Sequence, residues 1–139
     1  MRLKCIILSL FAVLTLHINA QENNTFKRTI RNSEYKLLMD INLYADSVIV
    51  PGQEVLGECY GYIRKTTDTR VWIITDVTLQ PDGKTALLEL VNDYGSEDLT
   101  ASLTVDKQGQ YILKQIDGST IKFVENKKWQ KLPKELIFK

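Results

Sequence analysis

Turn-forming residues recur at short intervals along most of this chain, and this spacing constrains its fold more than any other feature. Between the turns, apolar and polar residues alternate, and the turns include Gln80–Gly83, Lys107–Gly109 and Asp117–Gly118. Such regular turns are typical of an antiparallel sandwich or barrel. They leave too little room for the crossover of about a dozen residues that a parallel sheet requires. The sequence therefore predicts an all-β, antiparallel meander.

Residues 33 to 139 are predicted to form a single β-barrel or sandwich domain of about seven to nine strands. The first strand runs from Tyr35 to Tyr44, where apolar residues occupy every second position. Residues 21 to 32 are polar and lack this periodicity, so they are predicted to be a flexible N-terminal segment. The later strands are predicted at Val55–Arg64, Arg70–Leu79, Lys84–Val91, Asp98–Asp106, Gln110–Ile116, Ser119–Glu125 and Lys128–Leu132.

A meander of this length is predicted to close as a small up-and-down barrel, and the layout is similar to that of a lipocalin-like barrel. The Gly-x-Trp signature of lipocalins is missing, because Gly61-Tyr62-Ile63 stands in the analogous strand. An outer-membrane barrel would need uniformly apolar outward faces. Here the second face carries charges such as Glu58 and Arg70. We therefore expect no membrane insertion by the β domain.

The N-terminus has the order of regions found in a secretory signal peptide. Arg2 and Lys4 precede an apolar run from Cys5 to Leu16, and the small residue Ala20 follows. The run is shorter than the roughly 20 residues that a membrane-spanning helix needs. Residues 1 to 20 are therefore predicted to be a cleaved signal peptide, and the protein is expected to be exported, to the periplasm or outside the cell.

Charge and reactive residues exclude several classes of function. The chain has 18 Lys and Arg residues against 17 Asp and Glu residues, a balance that gives no overall field for nucleic acid. The only histidine, His17, lies in the predicted signal peptide, so catalysis by Ser-His-Asp or Cys-His and zinc bound by histidine are excluded in their usual forms. Only Cys59 remains after cleavage, which rules out an internal disulfide and indicates a buried, unreactive thiol.

One hairpin offers a candidate site. Val55–Arg64 and Arg70–Leu79 flank a five-residue loop, Lys65–Thr69. If Arg64 lies opposite Arg70, aromatic and acidic residues share one face, and the other face, with Val71 and Ile73, is the core. In that register Tyr62 is opposite Trp72, and Glu58 is opposite Asp76. The predicted ligand-binding residues are Glu58, Tyr60, Tyr62, Trp72 and Asp76.

These residues favour an exported, non-catalytic binding protein whose partner is a small ligand or another protein. A first alternative is an inhibitor or immunity-type protein that blocks an enzyme. A second is a carboxylate-dependent hydrolase acting on glycans, since two opposed carboxylates beside aromatic rings can act as general acid and base. No catalytic residue, metal or cofactor is assigned. The acidic loop Asn92–Asp98 has oxygen ligands for calcium, but it is better explained as a hairpin loop in which Gly95 has a positive φ.

Overall fold

The structure, a computed structural model, describes residues 24–93 and 95–139. The predicted signal peptide, residues 1 to 20, lies outside the described residues. Within the described chain, no helix is long and apolar enough to cross a membrane. The strands are β1 (Lys27–Asn32), β2 (Leu37–Asn42), β3 (Val48–Ile49), β4 (Glu58–Cys59), β5 (Gly61–Lys65), β6 (Val71–Leu79), β7 (Thr85–Asn92), β8 (Asp98–Val105), β9 (Tyr111–Gly118), β10 (Lys122–Glu125), β11 (Lys128–Lys131) and β12 (Glu135–Phe138), with a short 3-10 helix at Glu54–Leu56.

Eight of these strands form one antiparallel sheet in the order β1-β2-β5-β6-β7-β8-β9-β12. Its first and last strands meet, because the N–H of Arg31 donates to the carbonyl of Lys139 at 3.0 Å and the N–H of Lys139 donates back at 2.9 Å. The sheet is thus nearly closed into a barrel. The predicted all-β antiparallel meander is confirmed, and of the two closures considered the chain adopts the barrel.

The prediction of a flexible segment up to residue 32 is wrong for Lys27–Asn32, which forms strand β1. It pairs with β2 from Lys27 opposite Asn42 to Asn32 opposite Leu37. Its sequence is polar because only Ile30 and Asn32 are buried in this strand. A strand with one buried apolar residue has no periodic signal, so its position comes from pairing with β2 and from the barrel seam.

Side chains fill the inside of the barrel and form its main core. The interior-facing positions of β2 and β8 are those that the alternation predicts, for example Met39 and Leu103, both fully buried. The same cluster also takes in the end of the chain, through Leu136 and Phe138 of β12. The main core comprises Phe26, Ile30, Leu37, Met39, Ile41, Leu43, Ile63, Trp72, Ile74, Ala86, Leu88, Leu90, Leu99, Ala101, Leu103, Tyr111, Leu113, Ile121, Phe123, Leu132, Leu136 and Phe138.

The hairpin β10–β11 lies between β9 and β12 in sequence and crosses one end of the barrel. It reaches the far side, where the N–H of Val124 donates to the carboxylate of Asp68 at 2.7 Å. Lys65 is buried beneath it, and its Nζ contacts the Tyr35 carbonyl at 2.8 Å and Glu125 Oε2 at 2.9 Å. The hairpin therefore acts as a plug that polar contacts hold in place.

The connection between β2 and β5 folds back over the outside of the barrel. Strands β3 and β4 pair within it, with Val48 opposite Cys59. Beneath them lies a second apolar cluster on the outer face of β2, β5 and β6, which we call the outer cluster. Its buried members are Leu38, Val50, Tyr62, Val71 and Ile73, with Val48, Cys59 and Val91 packed against them.

Candidate functional site

The five residues predicted to bind a ligand do not share one face, because the assumed hairpin register is wrong by one residue. In the structure Tyr62 lies opposite Ile73, and Ile63 lies opposite Trp72. Since side chains alternate between faces along a strand, a shift of one residue reverses their directions. Tyr62 and Trp72 therefore lie on opposite faces of the sheet. The expectation that Val71 and Ile73 face the main core fails for the same reason.

Trp72 is an interior residue. It is 1% exposed, belongs to the main core, and donates from its indole N–H to the Lys122 carbonyl at 3.3 Å. Tyr62 instead belongs to the outer cluster, at 5% exposure. Burial, followed by the nearby Asp40 carboxylate, raises the pKa of the Tyr62 hydroxyl. Both aromatic rings are thus packing residues, on two different sides of the sheet.

The two carboxylates of the predicted site also lie apart in the strand pairing. Glu58 is opposite Ile49 in the β3–β4 pair, whereas Asp76 is opposite Glu89 in the β6–β7 pair. A bulge precedes Asp76, because the β6–β7 register shifts between Ile74 and Asp76. The register proposed for a general acid and base at Glu58 and Asp76 is therefore wrong.

Gly61 explains why simple alternation fails in this region. Cys59 belongs to the outer cluster, whereas Ile63 belongs to the main core, although regular alternation would place them on one face. Gly61 has a φ of +156°, and a Cβ there would lie 2.5 Å from the carbonyl oxygen of Asp40. Only glycine permits this close approach of β5 to β2. The alternation of side chains between the two faces of the sheet therefore shifts at Gly61. Residues that were predicted to share one face lie on both faces.

Two of the predicted residues, Glu58 and Tyr60, do line one cavity on the outer surface of the barrel. We call it the apolar cavity; its volume is about 370 Å³. It lies between the β2–β5 connection and the outer face of β6 and β7. Its lining residues are Asp46, Val50, Leu56, Gly57, Glu58, Cys59, Tyr60, Ile73, Thr75, Val91, Asn92, Asp93 and Gly95.

The walls of the apolar cavity come from the outer cluster and from the β2–β5 connection that covers it. Val50 and Ile73 are buried members of that cluster, and Val91 packs against it. Leu56, from the short 3-10 helix, is 54% exposed. Ligand sites in proteins are commonly concave, largely apolar and furnished with a few polar groups. The apolar cavity has this composition, and it is of the size that holds a small molecule.

The charged side chains that line the apolar cavity are all negative. Asp46, Glu58 and Asp93 are its charged lining residues, and all three are carboxylates. Asn92 is 2% exposed, and its side-chain oxygen accepts from the N–H groups of Ser96 and Glu97 at 3.1 and 3.3 Å. Its Nδ2 has no hydrogen-bond partner among the described residues. The cavity therefore joins an apolar wall to acidic groups.

Cys59 also lines the apolar cavity. It is half-buried and is a free thiol, and its Sγ lies 3.4 Å from the carbonyls of Val48 and Gly61. Burial is the main cause that raises the pKa of this thiol. A protonated thiol is a poor nucleophile. In this cavity Cys59 therefore acts as a small apolar wall residue.

The Asn92–Asp98 loop is held by protein contacts. Besides the two bonds that Asn92 accepts, Glu97 forms an ion pair with Lys122 at 2.9 Å. The predicted positive φ of Gly95 is confirmed at +67°. Among residues 24–93 and 95–139, no group of three or more His, Cys, Asp or Glu side chains is arranged to hold a metal ion.

Sequence reasoning missed the outer cluster, although a signal for it exists. Val71-Trp72-Ile73-Ile74 is a run of consecutive apolar residues, and all four are buried. Leu37-Leu38-Met39 in β2 is a second such run. Consecutive apolar residues in a strand indicate burial on both faces. Together these runs mark the strands that the β2–β5 connection covers.

The comparisons with known proteins found no match: no family model, no curated protein and no solved structure is significantly similar to this chain.

Proposed function

We propose that this protein is an exported, non-catalytic binding protein that takes up a small, partly apolar ligand in the apolar cavity. One observation carries the proposal. The main core fills the inside of the barrel, whereas an apolar cavity of about 370 Å³ lies on the outside, under the β2–β5 connection. The site thus differs from that of a lipocalin-like barrel, in which the ligand lies within the barrel. The order of residues in the first twenty positions supports export.

Binding of Nile red, a neutral dye whose fluorescence rises in apolar surroundings, tests this proposal. Leu56→Gln should weaken binding about fivefold, since a partly exposed leucine side chain contributes about 1 kcal/mol of apolar contact. Val55→Gln is the matched control. Val55 is the neighbouring residue in the same 3-10 helix, is 98% exposed, and does not line the cavity.

Equal binding of the dye by both variants, or no binding by the wild type, would contradict the proposal. Export is tested separately by mass spectrometry of the protein from its native cells. A chain that begins at Gln21 is expected, and a chain that keeps residues 1 to 20 would refute cleavage at Ala20.

A protein partner is the second candidate, and one surface favours it. Ile49, Val55 and Leu56 are exposed apolar residues of the β2–β5 connection, at 54%, 98% and 54%. Exposed apolar residues that lie close together often mark protein contacts. An inhibitor or immunity-type protein would use this surface. The same two variants distinguish the candidates, because Val55→Gln should weaken protein binding and leave dye binding unchanged.

A further inference from the structure

A second cavity adjoins the apolar cavity on the same face of the barrel. We call it the arginine cavity; its volume is about 570 Å³. The turn at Pro51–Gln53 bounds one side, and the residues that end β5 and begin β6 bound the other. Its remaining lining residues are Arg64, Thr66, Thr67, Asp68, Thr69, Val71 and Asp93. Asp93 also lines the apolar cavity, so this residue links the two.

The strand register places Arg64 and Asp93 in one row across the outer face of the sheet. Arg64 on β5 is opposite Val71 on β6, and the N–H of Asp93 donates to the carbonyl of Val71 at 3.0 Å. Neighbouring strands lie about 4.8 Å apart, so the backbones of Arg64 and Asp93 are separated by roughly 10 Å. Val71, a buried apolar residue, lies between them.

Each of these side chains has one buried polar atom that is left unsatisfied. Arg64 Nε and Asp93 Oδ1 are both buried, and each lacks a hydrogen-bond partner within the described ranges, 24–93 and 95–139. The ion pairs found in those ranges do not include either residue. Asp68, the other carboxylate of the cavity, is already paired with Arg70 at 2.9 Å. A buried polar atom without a partner is costly, and a bound ligand is one common reason for its retention.

We propose that the arginine cavity binds a zwitterionic group, with an ammonium at Asp93 and a carboxylate at Arg64. The planar guanidinium of arginine matches a carboxylate, which it can hold by two parallel hydrogen bonds. A ligand with a single charge would leave one of the two protein charges unpaired. The threonine hydroxyls of the lining can donate to the ligand carboxylate or accept from its ammonium.

The ligand class that follows is a free α-amino acid or short peptide with an apolar side chain. Its charged end would occupy the arginine cavity, and its apolar part would extend past Asp93 into the apolar cavity. The inference rests on the proposed function only in this last step, the placement of the apolar part.

Isothermal titration calorimetry on the full mature chain tests the proposal, with L-leucine, L-phenylalanine and L-leucyl-L-leucine as probes. At least one of the three should bind. N-Acetyl-leucine, which lacks the ammonium, and leucine amide, which lacks the carboxylate, should bind about tenfold more weakly than leucine or not at all, since each loses one charge-assisted hydrogen bond. If no zwitterion binds, or if both derivatives bind as well as leucine, the proposal is wrong.

Two variants assign each charge of the ligand to its residue. Arg64→Gln should abolish the preference for leucine over leucine amide, and Asp93→Asn should abolish the preference for leucine over N-acetyl-leucine. Arg28→Gln and Asp117→Asn are the controls, because both residues are exposed and line neither cavity. Preferences that survive in Arg64→Gln and Asp93→Asn would overturn the assignment.

The two proposals can fail separately. If Nile red binding depends on Leu56 while no zwitterion binds, the proposed function stands and the inference about Arg64 and Asp93 fails. If leucine binds through Arg64 and Asp93 while the dye does not depend on Leu56, the arginine cavity stands and the role of the apolar cavity fails. Thermal unfolding of every variant establishes that a loss of binding is not a loss of folding.

Discussion

Replacing Asp68 by asparagine should loosen the β10–β11 plug from the barrel. The Asp68 side chain is 3% exposed, and it accepts hydrogen bonds from three donors. These are the N–H of Val124 at 2.7 Å, the N–H of Arg70 at 3.2 Å and the guanidinium of Arg70 at 2.9 Å. The first of these contacts joins the plug to the loop between β5 and β6. Asp68 therefore holds together two parts of the chain that are distant in sequence.

The size of the effect follows from these contacts. An asparagine keeps one acceptor oxygen but turns an NH₂ group towards a donor, so at least one of the three bonds is lost. A hydrogen bond to a charged group contributes about 1.5–3 kcal/mol. The Arg70 side chain is 38% exposed, so water screens its ion pair and reduces its share. We expect Asp68→Asn to lower the free energy of unfolding by about 2–3 kcal/mol, which lowers Tm by roughly 10 °C.

The effect should depend on pH in a defined direction. Burial raises the pKa of Asp68, but hydrogen bonds from Val124 and Arg70 outweigh it, and the net pKa lies below its ordinary value. A carboxylate whose pKa is lowered by folding stabilises the native state above its unfolded pKa, which is about 3.9. That stability is lost as the pH falls through the lowered native pKa. The difference between wild type and variant should be full at pH 7 and shrink below about pH 4.

The assay is urea and thermal unfolding, combined with hydrogen exchange at the amide of Val124. Asp82→Asn is the matched control, because Asp82 also accepts two backbone N–H bonds and one side-chain bond, but in an exposed turn. Asp68→Asn should destabilise the protein more than this control and should speed exchange at Val124. Equal stability of the two variants, or unchanged exchange at Val124, would refute the role assigned to Asp68.

Two further predictions follow from the β5 region. Gly61→Ala should cost about 3 kcal/mol, because its Cβ would meet a backbone oxygen at 2.5 Å. Gly109→Ala, with open space around it, should cost only about 1 kcal/mol for its positive φ, and equal midpoints in urea would contradict this. Because burial raises the pKa of the Cys59 thiol, iodoacetamide at pH 7.5 should alkylate native Cys59 much more slowly than the unfolded chain, and equal rates would show an exposed thiolate.

The fold prediction succeeded for strands that have one buried face and one solvent-exposed face. In β8, Leu99, Ala101 and Leu103 are buried and alternate with partly exposed polar residues, as the sequence pattern requires. Near the C-terminus, Leu132, Leu136 and Phe138 also lie in the main core. Trp129, on the β10–β11 plug, is 52% exposed.

The site prediction failed where a strand has two buried faces. In β6 both Trp72 and Ile73 are buried, so hydrophobicity does not say which of them faces the barrel interior. The register with β5 decides this, and it follows from the loop between the strands, which leaves Arg64 opposite Val71 and not opposite Arg70. Glu58 and Tyr60 line the apolar cavity, and binding by any of the five predicted residues remains a prediction.

The sequence by itself determined the class of fold and the approximate positions of β2 and of β5 to β9, because alternation and turn residues act locally along the chain. The tertiary structure decided the rest: that the sheet closes, that polar Lys27–Asn32 completes it, and that the β2–β5 connection covers one outer face. It also brought Arg64 and Asp93 to one cavity. These features arise from pairing and packing between segments far apart in sequence. The apolar runs of β2 and β6 indicate that both faces of these strands are buried, but not which segment covers the outer face.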